Sequence, residues 1–526
     1  MALKQSTDGG LWPVTRRTFL ERFGLVGGSA LVMSAMRSWD LMAAQAGPRP
    51  VLSGRSNGTK VVVLGAGVSG LTTAYELGKL GYDVTVLEAR DRVGGVNFTV
   101  RRGATHTETG AGGETQVANF DERLYFNGGP WRLPHWHTGV LGYCKELGVP
   151  VEIFINEGES SYFYYEGEGV GPLANRRVRL REVKADMIGY TCELMAKAVD
   201  QDKLDVPLTK DDKERFVSFL VSEGYLDSAD KAYKKNTARG PGDPNDFSAL
   251  LQAGFAGRIR SVIEGTGQAP MFQPVGGMME FPKGFQRKLG DRITFGAEIV
   301  SIRQTNEGVK VAYRNLKNGA TTEVAADYCV SCLPLTILRT LDVNLSPETM
   351  AAVKATPYSP SAKIGLQMKR RFWEEDDRIF GGHLYSNLPI GNFAYPSTGW
   401  FGEKGVLLGF YGNGQTAGLI NMPITDRIEH VLTHASKVHP QIRAEYETAY
   451  CTFWERTPYS LGAFASGGGG NADRLAVLGR PDNRIFLGCA AVSGNGGWQE
   501  GAVAAAWKQV KQLHERVMST QLTQSA

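Results

Sequence analysis

The most regular stretch of the chain runs from Val61 to Gly95 and reads VVVLGAGVSGLTTAYELGKLGYDVTVLEARDRVGG. Four consecutive apolar residues, Val61 to Leu64, predict a strand buried on both faces, and a helical pattern then runs to about Leu80. After Gly81 a second apolar strand, Val84 to Leu87, ends at Glu88. Further on, Glu298 to Ile302 and Val309 to Tyr313 read as strands of an antiparallel meander, and Tyr328 to Pro334 as an apolar strand stopped by proline. Ser361 to Leu366 is strand-like despite Lys363, and Arg484 to Cys489 is a buried strand followed by a small-residue helix toward Trp507. From about Asn175 to Ile263 the spacing is helical, as in Phe216, Phe219, Leu220 and Val221, until Gly-Pro-Gly-Asp-Pro at 240 to 244 breaks it.

The junction of the first strand and helix carries the first chemistry. Gly65, Gly67 and Gly70 form G-x-G-x-x-G around Ala66 and Ser69. Two glycines allow a tight turn and close approach of a pyrophosphate, and the third lets helix and strand pack. Phosphate charge meets backbone N–H groups at the helix N-terminus. Glu88, at the end of the second strand, suits a ribose 2′-hydroxyl and disfavours a 2′-phosphate. The order of elements predicts dinucleotide binding, with FAD and NAD both open at this point.

With 526 residues the chain should divide into about two or three domains. A net charge of +4 and the lack of a basic run interleaved with aromatics point away from nucleic acid. Six cysteines are too sparse for a disulfide scaffold, and the Cys329/Cys332 pair lies in an apolar run that reads as core. His135 and His137 have no third ligand at a recognisable spacing, so no metal site is expected. At the N-terminus, Arg16-Arg17, an apolar segment from about Phe23 to Met36 and Ala44-Gln-Ala46 resemble a twin-arginine export signal over residues 1–46. The expected location is periplasmic or extracellular, with a linker at 47–58 and no stable membrane span.

The extension Glu88-Ala89-Arg90-Asp91-Arg92-Val93-Gly94-Gly95 resembles that of flavin amine oxidases, which points to FAD. Gly128-Gly129-Pro130-Trp131-Arg132-Leu133-Pro134 resembles the segment of L-amino acid oxidases whose arginine grips the substrate carboxylate, a role that suits a guanidinium held between prolines. Gln273 to Met278 with Phe281-Pro282 resemble the re-entry into the FAD domain, and Ile299 matches a residue that meets the adenine. Lys363 matches the lysine that holds a water beside the flavin N5. Tyr395, in Asn392-Phe393-Ala394-Tyr395-Pro396, resembles a second carboxylate contact. Gly494 to Ala502 resembles the flavin-closing segment, with Trp498 as an aromatic wall opposite Tyr395. Backbone N–H groups near Gly501 to Val503 would face the flavin N1/O2 edge. Val96 and Cys489 depart from the family, which usually has an arginine and an acid there.

The resemblance, closest to FAD-dependent L-amino acid oxidases, implies an α/β fold. A Rossmann-like FAD-binding domain of the GR2 type (59–125, 266–355, 471–520) is interleaved with a mixed-sheet substrate-binding domain (126–174, 356–470) and a helical subdomain (175–265). It implies catalytic roles for Lys363, Tyr395 and Trp498, and substrate contacts from Arg132, Phe393, Tyr395, Gly497 and Trp498. FAD contacts are implied at Gly65, Ala66, Gly67, Ser69, Gly70, Glu88, Ala89, Arg90, Arg92, Gly94, Gly95, Gly129, Pro130, Trp131, Arg132, Ile299, Gly488, Cys489, Trp498, Gly501 and Ala502. The implied reaction is oxidative deamination of an L-amino acid by dioxygen, giving a 2-oxo acid, ammonia and hydrogen peroxide, in a homodimer. The alternatives are an L-amino acid 2-monooxygenase, a polyamine or monoamine oxidase, and a protein in which FAD is only structural.

Overall fold

The computed structural model describes residues 47–525, apart from 111, 202–208, 235–236, 256–269, 415 and 467–471. The expected export signal at 1–46 therefore lies outside the described residues.

The first strand, Lys60–Leu64, is at the centre of a five-stranded parallel sheet. The sheet order is Ile293–Phe295, Asp83–Glu88, Lys60–Leu64, Tyr328–Ser331, Ile485–Leu487, so segments far apart in sequence share one layer. Strand alternation divides the core. Val61 and Val63 face helices Val68–Lys79, Glu280–Leu289 and Gln499–Ser525, whereas Val62 and Leu64 face a second layer containing Ile302 and Val311. That layer is the expected meander: Ala297–Gln304, Val309–Asn315 and Thr321–Ala326 pair antiparallel, and Asp342–Val343 joins Ala297–Gln304 in parallel. Burial on both faces explains why the first strand is a continuous apolar run.

A seven-stranded mixed sheet forms the second body, in the order Tyr446–Phe453, Ala362–Met368, Gly405–Gly412, Phe393–Ala394, His383–Ser386, Tyr162–Tyr164, Val178–Arg179. Helix Ile424–Ala435 packs on it through Val431, Leu432 and Ala435. The helical stretch contains Leu180–Asp200, Lys210–Gly224 and the short helix Phe247–Gln252. Asp186, wholly buried, ties it together: its carboxylate accepts from Tyr233, Arg239 and Asn245 at 2.8 to 2.9 Å. Among the described residues no helix is long and apolar enough to cross a membrane.

Two contacts fix the packing of the parallel-sheet body around the glycine turn and the C-terminal helix. A Cβ on Gly70 would collide with the Gly65 carbonyl oxygen, so only glycine lets helix Val68–Lys79 begin this close to the strand. Glu500, wholly buried, accepts from the backbone N–H groups of Gly139 (2.8 Å) and Val140 (2.9 Å), capping helix Thr138–Glu146 from the start of the C-terminal helix.

Candidate active site

A cavity of about 430 Å³ lies between the two sheets. From the parallel-sheet body it is lined by Gly65, Gly67, Ser69, Glu88, Ala89, Arg90, Gly94, Gly95, Ile299, Cys489 and Ala502. Gly129, Pro130, Lys363, Tyr411, Trp454, Gly497 and Trp498 are also part of the wall. Glu88 is buried at the turn, where Oε2 accepts from the Ala66 N–H (2.7 Å) and Oε1 from the Arg90 N–H (3.0 Å). Arg90 is held by the Pro458 carbonyl at 2.5 Å and Ser460 Oγ at 2.9 Å.

Other residues expected at the cofactor shape this wall from behind. Ala66 and Gly70 set the turn, and Arg92 donates to the Gly95 carbonyl at 2.9 Å, bracing the second glycine turn. The Gly488 carbonyl accepts from Ser69 Oγ, and a Cβ on Gly501 would collide with the Asn495 carbonyl oxygen. Val96 contributes through its backbone, because Gly129 packs directly on its carbonyl oxygen. The Cys489 thiol is pushed up to about 12 by burial and stays a neutral lining group in place of the family acid.

The lining fits FAD. The cavity meets a glycine turn and helix N-terminus at Glu88 and an aromatic wall at Trp498. Among its buried polar atoms, Asn97 Nδ2 and Oδ1 and Gln499 Nε2 have no partner among the described residues. Such atoms are costly unless a ligand satisfies them.

Chemistry concentrates around Trp131. Lys363 Nζ donates to the Gly129 carbonyl and stands 4.5 Å from the Tyr411 ring centroid and 5.2 Å from that of Trp131. Burial, and then the charge of Arg132, hold its pKa well below the ordinary lysine value. The Arg132 guanidinium carbon is 4.9 Å from the Trp131 ring and 5.9 Å from the Trp498 ring. Its Nε is buried without a partner, and no carboxylate among the described residues pairs with it. Burial lowers its pKa, with Tyr411 acting the other way. His383 packs edge-on against Trp131 at 5.1 Å, and burial followed by the Arg132 charge takes its pKa down to about 3. His137 stacks edge-on to Trp498 at 4.9 Å and is likewise down to about 3, through burial. Both imidazoles are neutral, while the Arg132 guanidinium, without a counter-ion among the described residues, stands beside the cavity-lining Trp498; Trp131 and Arg132, expected at the cofactor, lie behind the Gly129, Pro130 and Trp498 lining and not in it. This arrangement attracts an anion.

Two expected substrate residues are elsewhere. Phe393, on the strand Phe393–Ala394, and Tyr395, just beyond its end, both meet His439: Phe393 stacks on it at 6.0 Å, and the Tyr395 hydroxyl is 2.8 Å from His439 Nε2. His439 Nδ1 is in turn 3.0 Å from Asp377 Oδ2, which makes Tyr395 part of a buried relay, not a wall opposite Trp498. Ala394 occupies the face toward Trp131 and Tyr411. Among the tyrosines that line the cavity, the one beside Lys363 and Trp131 is Tyr411, which the sequence reading missed along with His383, Asn97 and Glu500. Alternation in Gly405–Gly412 was the available signal for Tyr411, since Lys363 pairs with it directly. No group of metal-ligating side chains occurs among the described residues.

Residues 68–514 match the profile of the family described as flavin containing amine oxidoreductase. An L-amino-acid oxidase from Daboia russelii is 27% identical over 483 residues, covering 85% of this chain and 87% of that protein. Among solved structures, wild-type putrescine oxidase bound to putrescine aligns with a TM-score of 0.55 at 18% identity, covering 88% of this chain and 99% of that one. Cyclohexylamine oxidase from Brevibacterium oxydans aligns at 0.57 and 18%, covering 88% and 100%. The two solved structures share the fold.

Proposed function

We propose that this chain, which belongs to the flavin-containing amine oxidoreductase family and uses FAD, oxidises an L-amino acid to a 2-oxo acid with release of ammonia and hydrogen peroxide. The observation that carries the substrate class is Arg132, a half-buried cation whose buried Nε has no hydrogen-bond partner and which has no counter-ion among the described residues, next to Pro130 and Trp498 of the cavity wall. A simple amine would leave that charge unpaired, whereas an α-carboxylate matches a guanidinium bidentately. The L-amino-acid oxidase relative supports the same reading.

FAD supplies the two-electron acceptor and the means of passing those electrons to dioxygen. Arg132 anchors the carboxylate and so orients Cα and the amine. Trp131 and Trp498 flank the guanidinium and exclude water, which strengthens that contact. Lys363, biased toward its neutral form, leaves the amine without a like charge and can hold or pass a proton at Nζ. Tyr411 is a polar side chain packed against both Lys363 and Trp131. We also propose export by the twin-arginine route on the strength of Arg16-Arg17 and Ala44-Gln-Ala46, which fractionation of cells expressing Arg16→Lys/Arg17→Lys would test.

The test is product analysis with a panel of L-amino acids and simple amines. Equal yields of 2-oxo acid and peroxide from L-amino acids are expected. An amide with carbon dioxide would make the enzyme a monooxygenase, and turnover confined to amines without a carboxylate would overturn the reading.

A further inference from the structure

Asn97 follows Val96, the position that lacks the family's arginine, and its side chain has no hydrogen-bond partner among the described residues. The backbone is pinned without it: the Asn97 N–H donates to the Gly94 carbonyl at 2.9 Å, closing the turn around Gly94. The side chain is wholly buried and lines the cofactor cavity, yet neither Nδ2 nor Oδ1 has a partner. A carboxamide presents a donor and an acceptor side by side. We propose that Asn97 holds the pyrimidine edge of the flavin ring, donating from Nδ2 to a ring carbonyl and accepting at Oδ1 from the ring N3–H.

Two observations select the ring over the pyrophosphate. A phosphate offers only acceptors, so it would satisfy Nδ2 and repel Oδ1, whereas the ring imide offers both partners together. Asn97 also adjoins the reactive part of the cavity: the neighbouring Val96 carbonyl packs on Gly129, whose own carbonyl accepts from Lys363. The inference depends on FAD but not on which amine is oxidised.

Asn97→Ala and Asn97→Asp holoenzymes test it. Loss of either partner should weaken FAD retention about tenfold, shift the visible flavin bands and change the midpoint potential. Wild-type holoenzyme gives a readout that needs no variant to fold: absorbance titration to high pH should show bound N3–H losing its proton at a higher pH than in free FAD. Unchanged spectra, potential and FAD retention in both variants would overturn the assignment. So would bound flavin that ionises at the same pH as free FAD.

Discussion

Replacing Arg132 by methionine separates a substrate-binding arginine from a structural one, because the two roles predict opposite effects on stability. A structural arginine would be paired, and its loss would strand a buried carboxylate at a cost of about 3 to 5 kcal/mol. Arg132 has no such partner; its neighbours are two tryptophan rings and Tyr411. Removing a half-buried cation that has no counter-ion among the described residues, while keeping an apolar stem, should leave the unfolding temperature unchanged or raise it slightly. Catalysis should suffer. Truncating one member of a buried charge pair costs about 2 to 5 kcal/mol, and about 3 kcal/mol corresponds to roughly a 150-fold loss in kcat/KM. The assay is initial peroxide release against L-amino acid concentration, with calorimetry on the same preparations. Weak turnover of an amine lacking a carboxylate should change less than about threefold. A fall in kcat/KM below about fivefold, or marked thermal destabilisation, would refute the reasoning.

Lys363→Met should slow reaction of the reduced enzyme with dioxygen by about 100-fold, as expected for loss of a positioned proton carrier; stopped-flow absorbance reads it. The same variant has a pH signature. Burial lowers the lysine pKa in the folded protein, so below the unfolded value near about 10.4 the unfolded chain binds the additional proton and folding is opposed. Lys363→Met should therefore be more stable than wild type at pH 7, by about 1 kcal/mol or more, with the difference closing as pH rises past about 10. Tyr395→Phe removes the hydroxyl bonded to His439 and should cost about 1 kcal/mol of stability, with kcat/KM altered less than threefold; a large kinetic loss would return Tyr395 to the substrate site. Glu500→Ala leaves the Gly139 and Val140 N–H groups unpaired and should cost about 2 kcal/mol, with Glu500→Gln losing about half as much in denaturant titrations.

The parallel sheet was legible because its first strand is buried on both faces and is followed by glycines whose absence of Cβ can be read directly from the letters. The meander and the buried strand carrying Cys329 were legible for the same reason, a regular apolar period. Arg132 and Lys363 emerged from motif resemblance, and their electrostatics could not, since missing counter-ions are a property of the assembled cavity. The misplacement of Phe393 and Tyr395 has a specific cause. The strand there has two residues, Phe393–Ala394, with Tyr395 just beyond its end, and which face of so short a strand meets the cavity depends on pairing with Leu384 and Leu408. His383 is adjacent to Trp131 only through that same pairing, 252 positions later in the chain. Asn97 was hidden differently: an asparagine after a glycine turn reads as a turn residue until its side chain is found without partners.

The most direct test of the account is anaerobic mixing of the purified yellow protein with L-amino acids and with simple amines, following the oxidised flavin absorbance. The account predicts rapid bleaching by one or more L-amino acids and peroxide on admission of air, with the corresponding decarboxylated amines bleaching at least tenfold more slowly. Equal or faster bleaching by the decarboxylated amines would contradict it.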